Sequence, residues 1–320
     1  MDRLSDSLDR RTGRSDSADK PIMHLGAADE ELVMASAARS HIPKRLFKLA
    51  ELEVLYDDPR ETIWTYMRPE GRPSFTSTML RDYVEWQDLI GESFGPGKVP
   101  LKFLVLGSRA PGVFCFGGDL ELFQQLIRAG DRRGLVQYGY KCVEILHRNI
   151  QSLDLPILTI GLVEGAALGG GFEALLSFDY IVAERGATFG LPEILFGLFP
   201  GMGAHAILSR KLGSAMADRL IVSNETYTAE QMHELGIVHH LAEPGEGIEA
   251  CREFIDKSTR RHVGLVNSRK AMKVATPITR EELKRIVDLW ADAALQLREQ
   301  DLKVMSRLAA AQTRLIRAAA

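Results

Sequence analysis

Two glycine-rich turns, each set between an apolar strand and a helical pattern, constrain this chain more than any other feature. The first is Phe114-Cys115-Phe116-Gly117-Gly118-Asp119-Leu120, after the apolar run Lys102–Leu106 and before a helical stretch over Asp119–Ala129. The second is Glu164-Gly165-Ala166-Ala167-Leu168-Gly169-Gly170-Gly171-Phe172-Glu173, after the run Ile157–Val163 and again before a helix. Apolar strands that alternate with helices predict parallel β-structure covered by helices. Glycine at such turns permits positive φ and close approach of backbone N–H groups to a ligand. Free N–H groups at a helix start suit negative charge. Either turn alone is equally compatible with a plain tight turn. Neither is a phosphate loop, because GxxxxGK[ST] is absent and no GxGxxG has its acidic partner.

The rest of the pattern fits the same class. Leu52–Tyr56 and Thr62–Tyr66 read as strands about the turn Asp57-Asp58-Pro59-Arg60. Helices are predicted over Thr76–Ile90 and Gly134–Gln151, and strands over Tyr180–Ala183 and Ile237–Leu241. From Gly245 to Arg317 there is no strand candidate; Leu283, Ile286, Val287 and Trp290, then Leu295, Leu302 and Met305, repeat at helical spacing. The expected organisation is a tail over residues 1–44, an α/β core over 45–244 and a helical C-terminal region over 245–320. The first forty or so residues, rich in Ser, Asp, Arg and Ala, read as a mobile tail. A short helix over Asp29–Ala38, ordered by contact with the body, is the alternative.

Composition excludes several classes. With 320 residues, 45% hydrophobic and 26% charged, the chain can bury a core. A net charge of −3 makes no electrostatic case for nucleic acid or an anionic membrane. Cys115, Cys142 and Cys251 have no paired spacing, which argues against a disulfide framework or a zinc site. The eight histidines show no HExxH-type spacing, and His239-His240 reads as a strand end. No metal or cofactor is expected. Without an apolar span or an N-terminal apolar h-region, a soluble cytoplasmic protein is the expectation.

A third segment carries chemistry. In Phe189-Gly190-Leu191-Pro192-Glu193-Ile194-Leu195-Phe196-Gly197-Leu198-Phe199-Pro200-Gly201-Met202-Gly203-Ala204, one acid stands in an otherwise apolar stretch. Carboxylates are rarely buried without a partner or a task, and desolvation would raise the pKa of Glu193 towards the range of proton transfer. A loop acid or a helix cap is the plainer alternative.

In this order, the three segments resemble the crotonase (enoyl-CoA hydratase/isomerase) superfamily over roughly residues 52–241. The resemblance implies a ββα spiral core, an oxyanion hole from the N–H groups of Gly118 and Gly170, and catalytic glutamates at Glu173 and Glu193. Keeping both glutamates implies addition or removal of water across Cα–Cβ of an acyl thioester.

Three stretches resemble the diffusible-signal-factor synthases more closely: Gly118–Phe123, Leu191–Ala204, and Asp288-Leu289-Trp290-Ala291-Asp292-Ala293-Ala294-Leu295-Gln296-Leu297. These synthases dehydrate a 3-hydroxyacyl chain on acyl carrier protein to the cis-2-enoyl product and release the free acid. The resemblance implies Leu168, Met202 and Trp290 as substrate-pocket residues, whose plainer role is core packing. It also implies a homotrimer or hexamer and leaves room for a regulatory protein partner. An enoyl-CoA hydratase of fatty-acid oxidation and a non-catalytic binding protein of the same fold are the alternatives. Arg260-Arg261 and Arg269-Lys270-Lys273 are candidate docking charges for an acidic carrier or a phosphate, with a solvated helix face the simpler reading.

Overall fold

The computed structural model describes residues 42–319. The predicted tail and the alternative helix over Asp29–Ala38 lie outside the described residues, apart from the tail's last few positions. Among the described residues, no helix is long and apolar enough to cross a membrane.

Strands β1 (Leu52–Asp57) and β2 (Thr62–Met67) form an antiparallel hairpin. From β2 the sheet continues in parallel through β3 (Phe103–Ser108), β5 (Leu158–Val163), β7 (Tyr180–Glu184) and β10 (His240–Ala242). Strands β2 and β5 are buried along their whole length, which is why the sequence shows them as apolar runs without alternation. The predicted strand Ile237–Leu241 starts late. Ile237 and Val238 are buried, but their N–H groups bond to the Met232 carbonyl, so bonding to β7 begins with His239 N–H on the Ile181 carbonyl and the paired register with His240.

A second, four-stranded sheet was not legible in the sequence. It joins β4 (Val113–Cys115), β6 (Ala166–Leu168), β8 (Thr188–Gly190) and β9 (Thr226–Thr228). Each strand has three residues, too few to display a period. Strand β4 leads into the first glycine turn, β6 into the second and β8 into the Glu193 segment, so this small sheet brings all three together.

The helices are α1 (Ser77–Ser93), α2 (Leu120–Arg128), α3 (Arg132–Ile150), α4 (Gly170–Leu175), α5 (Ala204–Leu212), α6 (Ser214–Val222) and α7 (Ala229–Glu234). Then come α8 (Gly247–Thr259), α9 (His262–Ala275), α10 (Arg280–Ala294) and α11 (Glu299–Ala319). Thr76 and Asp119, read as first residues of helices, are their caps: each side chain accepts an N–H three residues on. Beyond Gly245 the chain is helical and packs on the core. Cys251 and Ile255 of α8 pack with Trp64, Phe103 and Leu162 on one face of the large sheet, while α10 lies along α3 and α11 against α2.

Before β5 the chain makes a left-handed turn at Ser152, Leu153 and Asp154, with φ of 52°, 55° and 57° and no glycine. Non-glycine residues in this region cost of order 1 kcal/mol or more each. Buried Asp179 offsets the cost: it accepts from Ser152 Oγ (3.3 Å), Thr159 N–H (3.1 Å) and Thr159 Oγ1 (3.2 Å). Lys273 Nζ lies 3.4 Å from the same carboxylate and donates to Ser152 Oγ, and Arg269 stacks on the Tyr180 ring. Two members of the basic cluster are thus tied into the fold. Removing Asp179 strands Lys273 and two hydroxyls, so Asp179→Ala should lower stability by about 3 kcal/mol in urea unfolding. A loss under 1 kcal/mol would mean that the network holds little.

Candidate active site

The first turn is pinned on both sides. Phe116 N–H donates to the Pro73 carbonyl and Phe75 N–H to the Gly117 carbonyl, both at 2.7 Å. Asp119 N–H donates to Tyr138 Oη, whose hydroxyl donates to the Phe75 carbonyl at 2.6 Å. The second turn is held by Gly169 N–H on the Gly190 carbonyl (2.8 Å), and the Gly169 carbonyl accepts from Phe172 and Glu173 as α4 begins. Among the described residues, the N–H groups of Gly118 and Gly170 donate to no other group. The two turns touch: a Cβ on Gly117, at φ 89°, would lie 2.4 Å from Gly170 N. Two unspent backbone donors are therefore neighbours at the wall of one cavity, to which both glycines contribute.

Glu173 sits in the first turn of α4 and is 1% exposed. Its Oε1 accepts the N–H groups of Met202 and Ala204, each at 2.9 Å, at the start of α5. Glu173 thus caps the start of α5, and it also lines the cavity. Glu193 opens a single 3₁₀ turn, Glu193–Phe196, behind Pro192. Its Oε2 is buried with no hydrogen-bond partner among the described residues, and Glu193 lines the same cavity. Gly169, at φ 53°, makes room for it, because a Cβ there would stand 2.8 Å from Glu193 Oε1.

Burial pushes the Glu173 carboxyl up to about 7, against the pull of the Ala204 and Met202 N–H groups. Burial pushes Glu193 up to about 8, and the charge of Glu173 adds to it. The N–H groups of Ala204 and Met202 favour an ionised Glu173, whereas the charge of Glu173 disfavours ionising Glu193, so near neutrality the shared proton rests on Glu193. The site thus holds one base and one acid within reach of one cavity.

That cavity has an empty volume of about 620 Å³, its open mouth included. Met202 and Trp290, both predicted as pocket residues, line it. Leu168 does not: it is half-buried in β6, paired in register with Gly190, and stands off the cavity wall. Phe116, Phe123, Tyr138 and Leu308 line the cavity too, although the sequence named none of them as a pocket residue. Phe123 meets Tyr138 and Trp290 edge to face, with centroids 4.9 and 5.0 Å apart. No apolar residue at helical spacing can be told from core in sequence alone. Cys115, Cys142 and Cys251 are free buried thiols, and His239 Nδ1 accepts the Ile181 N–H, which makes His239 structural.

A family profile described as enoyl-CoA hydratase/isomerase matches residues 98–257, half of the chain. A short-chain-enoyl-CoA hydratase of Clostridium acetobutylicum is 30% identical over 207 residues, 64% of this chain and 74% of the relative. An enoyl-CoA isomerase/hydratase of Mycosarcoma maydis is 30% identical over 191 residues, 58% of this chain and 67% of the relative. Among solved structures, an enoyl-CoA hydratase of Bacillus halodurans superposes with a TM-score of 0.68 at 19% identity, covering 81% of this chain and all (100%) of that one. DspI of Pseudomonas aeruginosa gives 0.62 at 24% identity, covering 75% and 95%. The chain belongs to the enoyl-CoA hydratase/isomerase family, the crotonase superfamily.

Two outcomes check the electrostatics. Both folded-state values lie above the ordinary 4.5, so the folded protein holds extra protons between about pH 4.5 and 8 and loses stability as pH rises through that window. Glu193→Gln removes this term. Its melting temperature should exceed the parent's above about pH 8, with the gap closing towards pH 4.5; equal melting curves at both ends would refute the burial argument. Gly169→Ala should instead displace Glu193, with folding retained by circular dichroism and turnover reduced at least tenfold.

Proposed function

We propose that this chain dehydrates a 3-hydroxyacyl thioester on acyl carrier protein to the cis-2-enoyl thioester, then hydrolyses the thioester to release a cis-2-unsaturated fatty acid of the diffusible-signal-factor type. The observation that carries the reading is the pair of buried carboxyls on one apolar cavity, one held by the N–H groups of Met202 and Ala204 and the other with an Oε2 that has no hydrogen-bond partner among the described residues.

In the first step ionised Glu173 takes the α-proton, and charge moves to the thioester oxygen. There the N–H groups of Gly118 and Gly170 receive it; one such donor contributes about 3 kcal/mol in comparable sites. Glu193 then gives its proton to the β-hydroxyl, the C–O bond breaks and water leaves. A proton passing from Glu173 back to Glu193 resets the pair. In the second step an ionised glutamate takes a proton from water, which attacks the thioester carbon. The same two N–H groups hold the tetrahedral oxyanion, and the thiol leaves with the proton. Among the described residues, no serine, cysteine or histidine lines the cavity, so water rather than a covalent nucleophile fits this site.

A second reading, hydration of an enoyl-CoA, is favoured by the two enoyl-CoA hydratase relatives. Incubation with 3-hydroxydodecanoyl carrier protein separates the two, read by mass spectrometry. The first reading predicts free cis-2-enoic acid, whereas a bound trans-enoyl thioester with no free acid would favour the second. Glu173→Gln and Glu193→Gln should each reduce product formation by 10²–10⁴-fold. For the parent, kcat/KM should peak between pH of about 7 and about 8, where the pair holds one proton. Near-full turnover in both variants would rule out paired acid/base chemistry.

A further inference from the structure

Behind the catalytic cavity lies a second one, of about 450 Å³ including its opening. Met202 lines both, and so do consecutive residues of α4, Glu173 facing the first and Ala174 the second. One face of α3 runs along the two: Tyr138 and Gly139 line the first, and Cys142, Ile145 and Asn149 the second. From Tyr138 to Asn149 that face spans about 16 Å at the helical rise of 1.5 Å per residue. The two cavities thus share Met202 in their walls and lie along one face of α3, and the thioether of Met202 is flexible.

The second compartment is apolar apart from a few polar side chains, three of which carry buried atoms with no hydrogen-bond partner among the described residues. These are Tyr83 Oη, Gln87 Oε1 and Asn149 Oδ1. All three residues are at least nine-tenths buried. The amide orientations are fixed from the other side, since Gln87 Nε2 donates to the Ile145 carbonyl and Asn149 Nδ2 to Ser177 Oγ. Two carbonyl oxygens and a phenol without partners thus belong to residues that line one apolar chamber. Leaving such groups unmatched costs about 1–3 kcal/mol each. No residue with an ionisable acid or base of the Asp, Glu, Lys, Arg or His type lines it, so an anionic chain end would meet two carbonyl oxygens and no cation. Burial also holds the Tyr83 phenol neutral, with its pKa well above 10.

Resting on the acyl-thioester reading, we propose that the second compartment receives the far end of the acyl chain, and that it selects chains whose far end carries an uncharged hydrogen-bond donor such as a hydroxyl. A hydroxyl can match two of the three groups at once, donating to Gln87 or Asn149 and accepting from Tyr83. A plain methyl end fills the volume but leaves them unmatched.

Binding of free acids tests this without catalysis. Trp86 lines the second compartment and Trp290 the first, so a medium-chain fatty acid brominated at its far end reports where that end lies. Its quenching of tryptophan fluorescence should be largely lost in Trp86→Phe. Quenching unchanged in that variant places the chain end elsewhere and overturns the proposal. In competition against the brominated acid, a hydroxyl-ended chain should displace it at lower concentration than a methyl-ended chain of equal length. That advantage should shrink about fivefold in Tyr83→Phe. Equal or weaker displacement by the hydroxyl-ended chain would mean that water satisfies the three groups, and would overturn the selectivity. If Trp86→Phe folds poorly, Ile145→Phe, at a half-buried lining position, should weaken binding of the long chain at least tenfold relative to a four-carbon acid. An equal effect on both lengths counts against the compartment. A protein that quenches as expected yet turns over no thioester would sink the proposed reaction and leave the chain compartment standing.

Discussion

Withdrawing a carboxylate from water is the most expensive act in this structure, and the fold performs it twice at one place. Glu173 is tolerated because two N–H groups at the start of α5 take over from water. Glu193 has no such replacement on Oε2 and must keep its proton or face a neighbouring negative charge. Everything around the pair serves that asymmetry. The small sheet delivers the three segments, the glycine turns clear the space, and aromatic rings dry the cavity.

The packing shows why the turns are so poor in side chains. Gly117 lies against Gly170, and Gly169 against the Glu193 carboxyl, at separations that a methyl group would violate. The turns carry no functional side chain of their own; they bring backbone donors and carboxyls into the same few ångströms. Asp119, the first side chain after them, is occupied in capping α2 and leaves the Gly118 N–H unspent.

Much of this was legible in the sequence. Burial on both faces made the large sheet visible as apolar runs, and a lone acid in an apolar segment marked Glu193. Consecutive glycines before a helix marked the turns. The four short strands stayed hidden because three residues show no period, and the left-handed turn at Ser152–Asp154 because neither glycine nor asparagine announces it. Leu168 lies off the cavity because its register with Gly190 fixes it in the small sheet, which a motif does not convey. The second compartment could not be read at all. Tyr83 and Gln87 stand on one helix and Asn149 on another, and nothing in their spacing says that each leaves an atom unmatched.

Met202 joins matters that are usually kept apart. It lines both cavities, while its backbone N–H is one of the two that steady Glu173. The wall that the two cavities share and a hydrogen bond that favours an ionised Glu173 thus belong to one residue, so a change at position 202 reaches both.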